Sequence, residues 1–165
     1  MRKSTPGSAA GLAAAVTIAM LGAGTPSWSQ TTPPQSTWGV TCVGTAGGLD
    51  CRALQSLPMT NTGQASVAVR IPPETKKPTM LILVPLSVYL PAGVSLKFGD
   101  GEAKTVRFDN CDVAGCLAKY DVTEAELGAM AEGQLLTLSV QDTNRRPVSL
   151  QMPSNGFAAA LAKIK

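Results

Sequence analysis

The fold class is decided by residues 94–108, which consist of three runs: Val-Ser-Leu-Lys-Phe at 94–98, Gly-Asp-Gly-Glu-Ala at 99–103 and Lys-Thr-Val-Arg-Phe at 104–108. The first and third runs alternate apolar and polar side chains, which is typical of a β-strand with one buried face. The Asp-Gly pair between them is a strong turn signal. Residues 94–108 are therefore predicted to be a β-hairpin.

Similar strand patterns recur on both sides of this hairpin, separated by turns rich in Gly and Pro. Alternating runs predict strands at residues 38–43, 49–55, 65–71, 134–141 and 147–152. Two apolar runs, 80–84 and 86–90, are predicted to be core strands, and the first is expected to be buried on both faces. About eight short strands with regular turns are typical of a β-sandwich or a partly open barrel.

Two stretches have a helical pattern. Thr123-Glu124-Ala125-Glu126 matches a capping box, so a short helix is predicted near residues 123–131. A second short helix is predicted at the C-terminus, because an apolar stripe with helical spacing follows Gly156. This stripe consists of Phe157, Ala160, Leu161 and Ile164. The chain is therefore predicted to be all-β, a single β-sandwich-like domain with these two short helices.

The N-terminus has the three-part layout of a secretory signal peptide. Arg2 and Lys3 precede an apolar run at 9–23, and the small residues Ser27 and Ser29 occupy positions −3 and −1 of a predicted cleavage site after Ser29. An uncleaved membrane anchor is the alternative, but the apolar run is shorter than the roughly 20 residues of a spanning helix. The predicted organisation is a signal peptide at 1–29, a flexible polar leader at 30–37 and the β domain at 38–165.

Composition excludes several kinds of chemistry. The 165 residues include no His, which rules out Ser-His-Asp and Cys-His catalysis, His-ligated zinc or haem and an imidazole pH switch. The formal net charge is +3, and removal of Arg2 and Lys3 with the signal peptide leaves +1. Attraction to nucleic acid is therefore weak. We expect no nucleic-acid partner, no cofactor and no transmembrane segment after signal cleavage.

All four cysteines follow the predicted signal peptide, and the oxidising compartment beyond it favours disulfides. Cys42 and Cys51 flank the turn of the first hairpin, and Cys111 and Cys116 flank a second compact turn, so we predict the pairs 42–51 and 111–116. A zinc site or a redox-active pair is the alternative. The cysteine spacings depart from the Cys-x2-4-Cys repeats of zinc sites and from the Cys-x-x-Cys of redox pairs.

Four segments, in order along the chain, are similar to those of a known family. They are Trp38–Cys42 with Cys51, Leu83–Leu86 with Leu90–Leu96, Phe108–Cys116 and Ser154–Leu161. Together they resemble the invasion-associated locus B family over nearly the whole stretch from Trp38 to Ile164. The resemblance implies a small exported β-rich envelope protein of a Gram-negative bacterium, periplasmic or secreted, in a family named for host-cell entry. It supplies no catalytic motif.

Other polar clusters admit a functional and a structural interpretation. Five carboxylates, Asp100, Glu102, Asp109, Asp112 and Asp121, could bind Ca²⁺, but their spacing matches no calcium loop. The basic pairs 76–77 and 145–146 could contact phosphate, but solvated turns are the simpler interpretation. Trp38 is expected to pack in the core on the disulfide rather than to anchor a ligand. Ser154 is expected at a helix start, because no base is present to activate it as a nucleophile.

Two classes of function remain. The first is a non-catalytic envelope protein with a binding or structural role, whose partner is an unknown envelope or host protein. For this class, the disulfide-closed turn at 112–115 and the turn at 142–146 are the candidate contact surfaces. The alternative is a periplasmic hydrolase or enzyme inhibitor lacking His-based chemistry. Because no nucleophile–base pair is evident, we expect the first class and no enzyme.

Mass spectrometry of non-reduced peptides tests the predicted disulfides. The exported protein is expected to yield peptides linked through Cys42–Cys51 and Cys111–Cys116, with no free thiol. A linkage between Cys42 and Cys111, or between Cys51 and Cys116, would contradict both the pairing and the hairpins on which it rests.

Overall fold

The secondary structure is mostly strand, as the alternating sequence predicts. The computed structural model describes residues 37–60 and 63–165. Within them the elements are β1 (Gly39–Thr45), β2 (Gly48–Thr60), β3 (Gly63–Arg70), β4 (Thr79–Val84), β5 (Val94–Phe98), β6 (Lys104–Val106), β7 (Asn110–Asp112), β8 (Gly115–Asp121), α1 (Glu124–Ala131), β9 (Leu136–Gln141), β10 (Pro147–Met152) and α2 (Phe157–Ile164). The predicted signal peptide at 1–29, and residues 30–36 of the predicted leader, lie outside the described residues.

The strands form two antiparallel sheets. The larger sheet has six strands in the order β1-β2-β3-β4-β8-β7, and the smaller has four in the order β10-β9-β5-β6. The hairpin predicted from residues 94–108 is the β5–β6 pair, in which Val94 lies opposite Val106. The sequence predicts about eight strands, and ten occur in the described residues, but the all-β, sandwich-like class is confirmed.

The two sheets bury one face each in a common core. Val67 and Val69 of β3 and Ile82 of β4 are fully buried on the larger sheet, and Leu136 and Leu138 of β9 are almost fully buried on the smaller. The residues between them in each strand are more exposed, which is the period of two that a half-buried strand requires. The apolar periodicity of the sequence therefore positions the two layers.

Helix α2 covers the core next to β1 and β2. Its predicted apolar stripe is buried, and Phe157 has no exposed surface. The Phe157 ring meets the Trp38 ring edge to face, with the ring centroids 4.8 Å apart. Trp38 also donates a hydrogen bond from Nε1 to the carbonyl oxygen of Pro153, 2.9 Å away. Trp38 is thus a core residue as predicted, but its ring partner is Phe157, and Cys42 is exposed.

Helix α1 begins with the predicted capping box. The Thr123 hydroxyl accepts a hydrogen bond from the backbone N–H of Glu126, and the Glu126 carboxylate accepts one from the backbone N–H of Thr123, at 2.8 Å. These reciprocal bonds satisfy donors that the first helical turn leaves free. Leu127 and Met130 face the core, so the helix closes the same core as α2.

The apolar run at 86–90, predicted to be a core strand, is not a strand. Leu86 is 56% exposed and Leu90 is 49% exposed, and a single turn of 3-10 helix begins at Leu90. Pro85 and Pro91 bracket the run, and neither has an N–H to donate to a sheet ladder. The run contributes one isolated bridge between Val88 and Asp142 and otherwise crosses the surface.

The expectation that β4 is buried on both faces is also wrong. Met80, Ile82 and Val84 have no exposed surface, whereas Leu81 and Leu83 on the opposite face are only half-buried. Residues 37–60 and 63–165 form one core between two sheets, and this part of the chain supplies no covering layer for the outer face of the larger sheet. The apolar residues on that face are the origin of the candidate site described below.

Truncation of Phe157 measures how much α2 contributes to the core. We expect Phe157→Ala to lower the free energy of unfolding by about 3–5 kcal/mol, because it removes a fully buried ring and its contact with Trp38. Urea unfolding followed by tryptophan fluorescence gives the value. Ala159→Ser, at an exposed position of the same helix, is the control and is expected to change stability by about 0.5 kcal/mol or less.

Candidate functional site

An apolar groove of about 340 Å³ lies on the outer face of the larger sheet. The strand registers bring its leucines together: Leu83 of β4 lies opposite Leu117 of β8, and Leu81 lies opposite Ala68 of β3. Ala68 in turn lies opposite Leu54 of β2. We call this surface, with its floor of Leu54, Ala68, Leu81, Leu83 and Leu117, the outer groove.

Polar side chains line the rim of the outer groove. Arg52 lies at one side, and Asn110 and Asp112 of β7 lie at the other. Arg52 is 3.0 Å from the Asp50 carboxylate, and Arg70 of β3 is 3.6 Å from the same group. An apolar floor with a few polar groups at its edge is the usual composition of a binding surface.

The disulfide-closed turn at 112–115 forms one wall of the outer groove. Cys111 and Cys116 lie directly opposite each other on β7 and β8 and are bonded. The Asp112 carboxylate accepts a hydrogen bond of 2.8 Å from the Ala114 N–H, which fixes the turn internally. Val113 at the tip is 99% exposed, so a large apolar side chain projects into solvent from a constrained loop.

Gly115 allows this turn to approach the sheet closely. Its φ is 142°, and a Cβ at this position would lie 2.3 Å from the carbonyl oxygen of Val84. Any other residue would push the turn away from β4. The position of the wall relative to the leucine floor therefore depends on Gly115.

The second candidate turn, at 142–146, is stabilised by its own side chains. The Asp142 carboxylate accepts hydrogen bonds from the backbone N–H groups of Asn144 and Arg146 and from the Arg146 side chain. The backbone bond from Arg146 is the largest of the causes that lower the pKa of Asp142. Arg145 lies over the Tyr89 ring, 4.9 Å from its centroid. Arg146 is thus engaged within the turn and Arg145 contacts Tyr89, and this turn does not line the outer groove.

The structure brings together three titratable groups that the sequence analysis did not connect. Lys104 Nζ of β6 lies 2.6 Å from Glu126 Oε1 of α1 and 2.9 Å from the Tyr120 hydroxyl of β8. The Tyr120 hydroxyl donates to the same carboxylate at 2.7 Å. Because β6 and β8 belong to different sheets, this Lys104–Tyr120–Glu126 cluster joins the two layers and α1.

The charges in this cluster are stabilised by one another. Burial raises the pKa of Glu126, but the hydrogen bonds from Lys104, Thr123 and Tyr120 outweigh it and hold the pKa below its usual value. The bond to Glu126, followed by that to Tyr120, raises the pKa of Lys104. Burial is the largest cause that raises the pKa of Tyr120. The cluster is a charged Lys–Glu pair with a neutral tyrosine at neutral pH.

The four cysteines form two local disulfides. Cys42 lies opposite Cys51 in the β1–β2 pair and is bonded to it, and Cys111 is bonded to Cys116. Free cysteines are absent from the described residues. Each bond joins two neighbouring strands of the larger sheet, β1 to β2 or β7 to β8, and stiffens the hairpin that they form.

The other features considered in the sequence are Ser154, a metal site and a membrane-spanning segment. The Ser154 hydroxyl donates to the carbonyl oxygen of Gln134, and α2 begins three residues later. In residues 37–60 and 63–165, no group of three or more His, Cys, Asp or Glu side chains could hold a metal ion. The same part of the chain has no helix with the length and apolarity to span a membrane.

A larger cleft of about 600 Å³ lies between the β1–β2 hairpin and the end of α2. Two of its acidic groups are paired: Glu124 lies 3.7 Å from Lys165, and Asp50 lies 3.0 Å from Arg52. The outer groove has four leucines in its floor and is therefore the better candidate for a binding surface. The sequence analysis did not identify this floor. Apolar residues occupy both the odd and the even positions of 80–84, and this pattern predicted a strand buried on both faces.

Fold and site together define a class of protein: a disulfide-stabilised β-sandwich with a constrained apolar surface on one sheet. The model of the invasion associated locus B (IalB) protein family matches residues 38–165, and the chain belongs to that family. This confirms the resemblance found in the sequence.

Relatives support this assignment. Invasion protein B homologues of Brucella abortus strain 2308 and of Brucella abortus biovar 1 strain 9-941 are each 25% identical over 130 residues. In both comparisons the alignment covers 78% of this chain and 75% of the relative. The crystal structure of invasion associated protein B from Bartonella henselae superposes with a TM-score of 0.64 at 17% identity, covering 78% of this chain and 90% of that one.

The Lys104–Tyr120–Glu126 cluster predicts a pH-dependent difference in stability. The folded-state pKa of Glu126 is lowered, so its contribution is present above the unfolded-state pKa and is lost as pH falls through the folded-state pKa. We expect Glu126→Gln to be less stable than wild type at pH 7 and the difference to disappear on acidification below the usual carboxyl range. Urea midpoints measured between pH 2 and pH 7 test this.

Glu124→Gln is the matched control for this measurement. Glu124 lies in the same helical turn, but its side chain is 68% exposed and its nearest cation is 3.7 Å away. Exposed pairs of this kind contribute little. A pH-dependent difference of equal size in both variants would assign the effect to the helix terminus rather than to the cluster.

Proposed function

We propose that this protein is an exported, non-catalytic envelope protein that binds another protein through the outer groove and the turn at 112–115. The observation that carries the proposal is the juxtaposition of the leucine floor with a disulfide-closed turn that exposes Val113. A constrained loop loses little conformational entropy on binding, and an apolar floor supplies the favourable burial.

The composition of the groove favours a protein partner, of the envelope or of a host cell. Leu81, Leu83 and Leu117 accept apolar side chains, while Arg52 and Asp112 at the rim offer a positive and a negative group for polar contacts. Protein interfaces combine an apolar centre with a polar rim in this way. The relatives named as invasion protein B homologues make a host protein a reasonable source of this partner.

The non-catalytic part of the proposal is supported by the surroundings of the reactive groups. Lys104, Tyr120 and Glu126 satisfy one another across the two sheets, and this arrangement stabilises the fold. The Ser154 hydroxyl is bonded to a backbone carbonyl at the start of α2. The hydrogen bonds of these four side chains therefore support a structural role for each of them.

Export to the periplasm or beyond is supported by the two disulfides and by the sequence of the first 29 residues. Disulfides persist in oxidising compartments and are rare in the cytosol. The mature chain is expected to begin at Gln30, and N-terminal sequencing of the protein from the osmotic-shock fraction and from the culture medium tests both the cleavage and the location.

Site-directed photocrosslinking tests the binding surface. A benzophenone amino acid at Val113 is expected to capture a defined protein in intact cells or on host-cell membranes. Leu83→Gln, which makes the floor of the groove polar, is expected to reduce this product at least about tenfold, the effect of about 1.4 kcal/mol of lost binding energy.

Leu86→Gln is the matched control, because Leu86 is an exposed leucine outside the outer groove. It is expected to leave the crosslink unchanged. Equal loss in both variants, or an equal product from a probe at Arg145 in the other turn, would contradict the proposed surface. Turnover of a peptide or glycan library by the pure protein would contradict the non-catalytic role.

A further inference from the structure

The edge strand β1 differs from the other sheet edges among the described residues. It is seven residues long and contains neither a charged residue nor a proline. Residues 41–45 are all exposed. An edge strand of this kind presents a row of unpaired backbone N–H and C=O groups to which another strand can add.

The other three edges carry features that discourage pairing. Strand β6 has three residues and begins with Lys104, and β7 has three residues and ends with Asp112. Strand β10 begins with Pro147, which has no N–H to donate, directly after Arg146. Short length, charge and proline are the usual means by which proteins protect sheet edges. The absence of all three from β1 singles it out.

The register shows which backbone groups of β1 point away from β2. Cys42 and Cys51 are directly opposite, with their Cα atoms 4.0 Å apart, the short spacing of a pair that exchanges no backbone hydrogen bonds. The N–H and C=O groups of Cys42 therefore point away from β2. By the alternation of an antiparallel ladder, those of Val40 and Gly44 do the same.

We propose that β1 pairs with β1 of a second copy of this chain, antiparallel and about a two-fold axis at Cys42, to form a continuous sheet across a dimer. This register places Val40 opposite Gly44 of the second copy, and joins the outward N–H and C=O groups of both strands. Two-fold pairing of identical surfaces is the commonest geometry of soluble oligomers.

The side chains of β1 fit a second copy. Thr41 meets Val43 of the other copy, and Val43, which is 54% exposed in the monomer, becomes covered. The uncharged stretch from Thr37 to Leu49 brings no like charges together in this arrangement. A different partner strand would be selected by pockets or charges along the edge. Two glycines, a disulfide and small side chains offer few of these, whereas an identical strand needs none of them, because an axis at Cys42 brings the outward groups at 40, 42 and 44 of both copies together.

Replacement of Gly44 distinguishes edge pairing from other modes of association. Gly44→Pro removes an outward N–H but no bond of the β1–β2 ladder, and a Cβ at this position meets no atom within 4 Å. Gly44→Ala adds the Cβ and keeps the N–H, and is the matched control. Sedimentation velocity of the disulfide-bonded mature protein over a range of concentrations is the measurement.

Wild type and Gly44→Ala are expected to show a concentration-dependent dimer, and Gly44→Pro to shift its dissociation constant at least about tenfold upwards, as the loss of about 1.4 kcal/mol requires. Hydrogen exchange is expected to slow in the peptide that spans residues 37–48 of wild type as concentration rises. A wild type that stays monomeric up to its solubility limit, or a dimer that Gly44→Pro leaves intact, would overturn the proposal.

A second variant keeps the test valid if Gly44→Pro disturbs the hairpin. Val43→Lys leaves the backbone unchanged and sets two positive charges near each other across the two-fold axis, so the dimer is again expected to weaken at low salt. Val113→Lys adds the same charge at a site remote from β1 and is expected to leave the dimer unchanged. Equal weakening by both lysines would assign the effect to net charge and overturn the proposed edge.

Discussion

The structure depends on the apolar contact between the inner faces of the two sheets. Both disulfides join neighbouring strands of the larger sheet, so neither crosses the layers. The layers are held by the core, which α1 and α2 complete, and by the Lys104–Tyr120–Glu126 cluster. A disulfide between directly opposed strands closes a short loop and stiffens its hairpin, while it contributes less to the assembly of the whole domain.

A single core between two sheets leaves the outer faces to other uses. The leucines on the outer face of β4 and β8 are not part of the core. They nevertheless meet in one groove, because the strand register places Leu83 opposite Leu117. The same argument separates the two proposed surfaces. The outer groove uses side chains of the sheet face, whereas pairing through β1 uses backbone groups of the sheet edge.

The sequence predicted the local features that depend on neighbouring residues. The Asp-Gly hairpin, the capping box at Thr123 and the apolar stripe from Phe157 all depend on short-range geometry, and all occur in the structure. Features that depend on distant segments were not predictable. The exclusion of 86–90 from a sheet was predictable, because Pro85 and Pro91 flank that run in the sequence. By contrast, nothing near β4 indicates which of its faces stays uncovered in the described part of the chain. The outer groove and the Lys104–Tyr120–Glu126 cluster each join residues from three or more elements, and pattern alone could not connect them.

Strand residues that face the core and those that face outward are under different constraints in this family. The Bartonella henselae protein keeps this fold at 17% identity, so the fold tolerates replacement of most side chains provided that the inner positions stay apolar and of similar volume. Outer positions such as Leu54, Leu81 and Val113 carry no such requirement, since they face solvent or the groove. A binding surface built from them can change its partner without any cost to the core. Under the binding role proposed above, the residues of this chain's own outer face therefore select its partner.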